Sequence, residues 1–151
     1  MRRVLIGVAM SATVFCSLGF AQKVNEPDPK ALIFKLPAEI KWSNGTTSQQ
    51  AVLVGDPSKE GLYVVLTKWL PHNNSRPHFH PNDRFITVIS GTWWVGTGAQ
   101  YDPDGMKPIP AGSFVTHFGK QVHYDGAKDG EAILQIVGMG PATSTQVTAP
   151  Q

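Results

Sequence analysis

From residue 31 onward the chain alternates short runs of β-branched and aromatic residues with clusters of turn formers, and no apolar stripe at helical spacing runs for a useful length. The pattern predicts strands over residues 31–36, 50–54, 62–70, 85–90, 92–96, 113–118 and 132–137. Between them stand Ser43-Asn44-Gly45, Gly55-Asp56-Pro57, Asn73-Asn74-Ser75, Ser90-Gly91, Asp102-Pro103-Asp104-Gly105 and Asp125-Gly126, residue types that reverse the chain. Many short strands at this spacing make an all-β sandwich or barrel in a single domain, here 31–140. Residues 141–151 begin with the small, polar Pro141-Ala142-Thr143-Ser144-Thr145 and are expected to form a flexible tail.

The beginning of the chain has a different character. Met1-Arg2-Arg3 is basic, and residues 4–21 carry no charge and close on Gly19-Phe20-Ala21. Small residues at Gly19 and Ala21 match a signal-peptidase site, so 1–21 reads as a cleavable leader and the protein as periplasmic or secreted. The rival reading is a retained single-span anchor, because the uncharged run is 18 residues long. Cys16 is not a lipidation site, since Thr13-Val14-Phe15 lacks the small residues expected before one. A polar, proline-containing lead then spans 22–30.

Cleavage changes the charge balance. Loss of Arg2 and Arg3 from 13 basic residues leaves 11, equal to the 11 acidic ones. A neutral domain gives no basis for binding nucleic acid or an anionic membrane surface. The leader also holds the only cysteine, so the remaining 130 residues rely on a packed core and not on disulfides.

Chemistry concentrates in the histidines. In an extended segment alternate side chains share a face, so His78 and His80, flanking Phe79, emerge together. Neutral imidazole is the commonest side-chain metal ligand, and His123 is the natural third. Phe79 points the other way and packs. Of the consecutive Trp93 and Trp94, one faces inward and one outward, the inner ring filling the core or walling an apolar ligand. His72 is a solvated turn residue, Asn82 and Asp83 belong to a turn, and Tyr124 faces outward unless it serves as a donor beside His123.

Together these residues resemble a cupin of the RmlC-like superfamily, in particular the small single-domain bacterial members. The first cupin motif, Gly-x5-His-x-His-x3-Glu-x6-Gly, is met by His72-x5-His78-x-His80-x3-Arg84-x6-Gly91 at three of five fixed positions. The second, Gly-x5-Pro-x-Gly-x2-His-x3-Asn, is met by Gly112-x5-Phe118-x-Lys120-x2-His123-x3-Ala127 at its first glycine and its histidine. Pro110-Ala111-Gly112-Ser113-Phe114 and Val137-Gly138-Met139-Gly140-Pro141 carry the same likeness, which spans residues 62–140.

The resemblance implies a double-stranded β-helix, a jelly-roll barrel, with a divalent metal inside, often in a homodimer. Carried over by position, it implies His78, His80 and His123 as ligands and puts Arg84 where the glutamate ligand belongs. Arginine has five donors and no acceptor, so it cannot coordinate a cation. Three reconstructions remain open. Three histidines hold Fe, Mn, Zn, Ni or Cu with open positions, and Arg84 grips the carboxylate of a small anionic ligand. Three-histidine cupins include thiol- and diketone-cleaving dioxygenases, which implies oxidation of a small organic acid, thiol or diketone. In the second, His117, with Gly119 between it and His123 to turn the chain, or Asp83 replaces the glutamate. In the third no metal binds, Arg84 fills the space paired to Asp83 or Asp125, and the barrel is a ligand-binding or interaction module.

Overall fold

The computed structural model describes residues 25–149; the expected leader, 1–21, lies outside them. Residues 25–34 and 35–149 form separate units. In the first, Asp28 closes a turn: its carbonyl accepts from the backbone of Ala31 and Leu32, and its carboxylate from Lys30. The strand expected over 31–36 does not form. Pro29 and Pro37 each withhold a backbone donor, and Pro37–Glu39 is a 3-10 turn.

In the second unit the strands are β1 (Ser48–Val54), β2 (Gly61–Trp69), β3 (Asn73–Asn74), β4 (His78–Phe79), β5 (Arg84–Ser90), β6 (Thr92–Thr97), β7 (Lys107–Pro110), β8 (Phe114–His117), β9 (His123–Ala127), β10 (Ala132–Gly140) and β11 (Thr145–Gln146). They make two antiparallel sheets, ordered β1-β2-β10-β5-β8 and β11-β4-β9-β6-β7, with β3 beside β9. Alternation along β2, β5 and β10 sends Tyr63, Val65, Ile86, Val88, Leu134 and Ile136 into a core closed by Trp93 and Ala127 of the other sheet. Each such large side chain contributes about 1.5–3 kcal/mol on leaving water.

The differences from expectation have physical reasons. Asp125-Gly126 was expected to turn and instead lies inside β9. The strand is buried along its whole length, and a Cβ on Gly126 would meet the Asn73 carbonyl oxygen at 2.2 Å. Glycine is what lets β3 approach. The two prolines of β7, Pro108 and Pro110, are tolerated because β7 is the outer strand of its sheet. Within the described part of the tail, expected to be flexible, Thr145 and Gln146 pair with Phe79 and His78, and Val147 donates to the Pro77 carbonyl at 2.9 Å.

Candidate metal centre

Register assembles the site. His78 on β4 stands opposite His123 on β9, and Arg84 on β5 stands opposite His117 on β8. Inward Arg84 and outward Phe85 follow from the pleat. A second clip joins the two motifs: the Gly119 amide donates to Asp83 Oδ1 at 2.7 Å and the Lys120 amide to the His80 carbonyl at 2.7 Å. A Cβ on Gly119 would lie 2.7 Å from the Pro81 carbonyl oxygen, so a side chain there would push the two loops apart. Asp83 is thereby committed to a backbone amide outside the site, and neither replaces the glutamate nor pairs with Arg84.

His78, His80 and His123 are buried, and each offers a ring nitrogen within 4.8 Å of the other two. Each ring is also oriented from behind. Nδ1 donates to the carbonyl of Arg76 from His78 (2.8 Å), of Thr143 from His80 (2.8 Å), and of Gln121 from His123 (3.1 Å). A carbonyl can only accept, so Nδ1 carries the proton in all three and the Nε2 lone pairs converge. The Nε2 atoms of His78 and His80 are 3.1 Å apart, and with neither protonated they cannot hydrogen-bond to one another. Two nitrogens each about 2.05 Å from one ion at a right angle would be about 2.9 Å apart, so this pair fits a shared cation. These three side chains can hold a metal ion. The expectation had not foreseen the three orienting carbonyls, which leave no mark in side-chain sequence.

His117 is outside this group. Its Nδ1 accepts from Arg84 Nη2 at 3.1 Å, its Nε2 has no hydrogen-bond partner, and its ring lies between Trp93 and His123, at centroid distances of 5.2 and 3.9 Å. The alternative in which His117 supplies a ligand therefore gives way to one in which it holds Arg84. The same Nη2 approaches His123 Nε2 at 3.3 Å, and Arg84 Nε is buried without a partner.

Asp125, on the same face of β9 as His123, is the buried counter-charge. Its carboxylate accepts from Trp69 Nε1 (3.2 Å), Trp93 Nε1 (3.0 Å) and Ser75 Oγ (3.0 Å). Among the described residues it makes no ion pair with Arg84 within 4.0 Å; the pair that does form is Lys59 with Asp56, at the surface. Burial pushes the guanidinium of Arg84 below its usual range and the charge of Asp125 opposes this. Of the other residues weighed, His72 is exposed, Trp93 is inward and Trp94 outward beneath Lys128. Tyr124 is buried against the loop of Asp102, to whose carbonyl it donates at 3.2 Å, and takes no part in the site.

Two cavities meet at Arg84 and His80. One, of about 430 Å³, is walled by Tyr63, Val65, Ile136 and Ala142; the other, of about 210 Å³, reaches His78 and Asp125. Together they suit one small, partly apolar ligand.

Burial holds three of the imidazoles neutral, lowering His80 and His123 to about 4 and His117 to about 3 from the ordinary 6.5. Above pH 6.5 neither the folded nor the unfolded chain protonates them, and stability is whole. Below it the unfolded chain takes up protons that the folded one refuses. Stability of the metal-free protein is therefore expected to fall from pH 6.5 toward pH 4, by up to about 1.4 kcal/mol per pH unit for each histidine. Urea midpoints that do not change between pH 7 and pH 5 would contradict this.

Comparison with protein-family models gives no match, and comparison with curated protein sequences gives none either. Solved structures do match. The polyketide cyclase RemF from Streptomyces resistomycificus aligns at TM-score 0.65 and 14% identity, over 80% of this chain and 88% of that one. A cupin-2 domain protein from Rhodospirillum rubrum aligns at 0.60 and 12%, over 78% and 80%. The chain folds as a cupin. An uncharacterised double-stranded β-helix protein from Klebsiella pneumoniae, at TM-score 0.57 and 23% identity over 78% and 97%, agrees. In this chain the segment of β4 and the residue after it bring His78 and His80 against His123 of β9, with Arg84 of β5 beside them.

Proposed function

We propose that this protein is an exported cupin that binds one divalent transition metal through Nε2 of His78, His80 and His123 and presents it to a small anionic organic molecule. The observation that carries the reading is the set of three Nδ1–H bonds to backbone carbonyls, which leaves three lone pairs turned toward one point. Iron, manganese, zinc, nickel and copper all suit imidazole, so availability selects among them. A bound ion would polarise a ligand oxygen and, if iron or copper, support oxidation by dioxygen. Arg84 holds the ligand's carboxylate, and Tyr63, Val65 and Ile136 exclude water from its apolar part. Turnover of a small organic acid, thiol or diketone with dioxygen follows as the finer proposal. RemF carries out a different chemistry on the same fold, so fold alone does not choose the reaction.

Metal content tests the reading. Protein purified with all five metals supplied is expected to hold about one equivalent, lost in His78→Ala. Less than about a tenth of an equivalent, unchanged by that substitution, would sink it. Oxygen uptake by the iron-loaded form with a thiol, a β-diketone and a 2-hydroxy acid tests the oxygenase step, and none with any of them removes it.

A second reading is favoured by one contact, the Nη2–Nε2 approach of Arg84 to His123. In it the guanidinium takes the cation's place and the barrel binds its small ligand without metal.

A further inference from the structure

These two readings are two states of one site. We propose that Arg84 is a latch that couples metal binding to carboxylate binding, so that a small monocarboxylate opens the third ligand position and ion and anion enter together. The proposal rests on the metal reading above.

The hydrogen-bond inventory requires a choice at His123. Its Nδ1 proton is committed to Gln121, so Nε2 offers a single lone pair. Arg84 Nη2 has two hydrogens, and the two acceptors facing it are His123 Nε2 and His117 Nδ1. While the guanidinium rests there, the third ligand is occupied. A divalent ion at the three Nε2 atoms would also stand beside a fixed positive charge, with like-charge repulsion in a poorly solvated interior.

What is built into the site relieves this only in part. The charge of Asp125 offsets that of Arg84 and leaves the ion's own charge unmatched, and its oxygens are engaged by two indoles and a serine hydroxyl. A ligand can relieve the rest: Arg84 lies on both cavities, and a carboxylate there that turns the guanidinium toward itself makes two parallel bonds and gives the buried, unpaired Nε a partner. The anion draws Nη2 away from His123 and offsets the positive charge that the ion would otherwise meet. His117, too buried to be solvated and not a ligand, is then the resting point that returns Arg84 to the latched position when the anion leaves.

Cobalt(II) titrated calorimetrically into the metal-stripped protein tests this, in saturating propionate and in chloride of equal ionic strength, corrected for cobalt propionate in solution. Propionate is expected to raise cobalt affinity about tenfold or more, and by linkage cobalt raises propionate affinity by the same factor. Arg84→Met is expected to bind cobalt as tightly in chloride as the native protein does in propionate, with no response to propionate. Native affinity that is equal in both media, with binding still lost in His78→Ala, would overturn the latch and leave the metal site standing. No cobalt uptake in either medium overturns both. An Arg84→Met protein that binds cobalt as weakly as the native one in chloride also overturns the latch. If Arg84→Met does not fold, the reciprocal propionate titration of the native protein, with and without cobalt, decides alone.

Discussion

Asp125→Ala is expected to lower the melting temperature of the metal-free protein by about 15 °C, from a loss of about 4 kcal/mol at roughly 4 °C per kcal/mol for a domain of this size. The carboxylate ties the two sheets together, accepting from Trp69 on β2 and from Trp93 on β6, and Ser75 donates to it while receiving the Asp125 amide. Alanine leaves the indole N–H of Trp93 in a fully buried position with no acceptor, and that of Trp69 half-buried. Each orphaned donor costs about 1–3 kcal/mol. Arg84 loses its counter-charge as well, which adds to the loss. Asp125→Asn keeps the volume and one acceptor, so its melting temperature should fall between the two. A drop under about 3 °C for Asp125→Ala would mean that the indoles find acceptors elsewhere and that Asp125 does not join the sheets.

Truncation after Ala142 is expected to weaken metal binding by about 10–100-fold while leaving a cooperative unfolding transition. The Thr143 carbonyl is the acceptor that keeps the proton on His80 Nδ1, and β11 pairs with the strand that carries His78. Both residues of β11 are exposed, so the core loses little. Competition with a chromophoric chelator measures the affinity. Nitrogen-15 shifts of the His80 ring report the tautomer independently, with protonated Nδ1 in the full chain and a mixture after truncation. Unchanged shifts together with affinity within twofold would show that the tail does not orient His80.

The regular strands were legible because their inward positions are apolar and alternate without interruption. Residues 62–70 and 85–90 match β2 and β5 to within a residue at either end, and β10 differs by running on to Gly140. β9 was not legible. His123-Tyr124-Asp125-Gly126-Ala127 has little strand composition, and its Asp-Gly pair signals a turn wherever the aspartate can be solvated. Here the carboxylate is satisfied by side chains 32 to 56 residues away, and no local window contains them. Residues 31–36 erred in the opposite direction: the composition suits a strand, but a strand needs a neighbour to complete its hydrogen bonds.

The histidine site divides along the same line. Period-two alternation was enough to bring His78 and His80 to one face, and the order of the two motifs was enough to nominate His123 and to mark Arg84 as a residue that cannot be a ligand. The shared face of His78 and His80 follows from local backbone geometry and the exclusion of Arg84 from side-chain chemistry, while the motif order rests on the resemblance to cupins; all three are in the sequence without a partner. Tertiary structure decided the rest. Cross-strand register set His117 opposite Arg84 and made it the arginine's acceptor, and the folded tail supplied the carbonyl that fixes His80. Backbone carbonyls carry no residue identity, and hydrogen bonds between distant strands depend on register, so both arise only when the chain closes on itself.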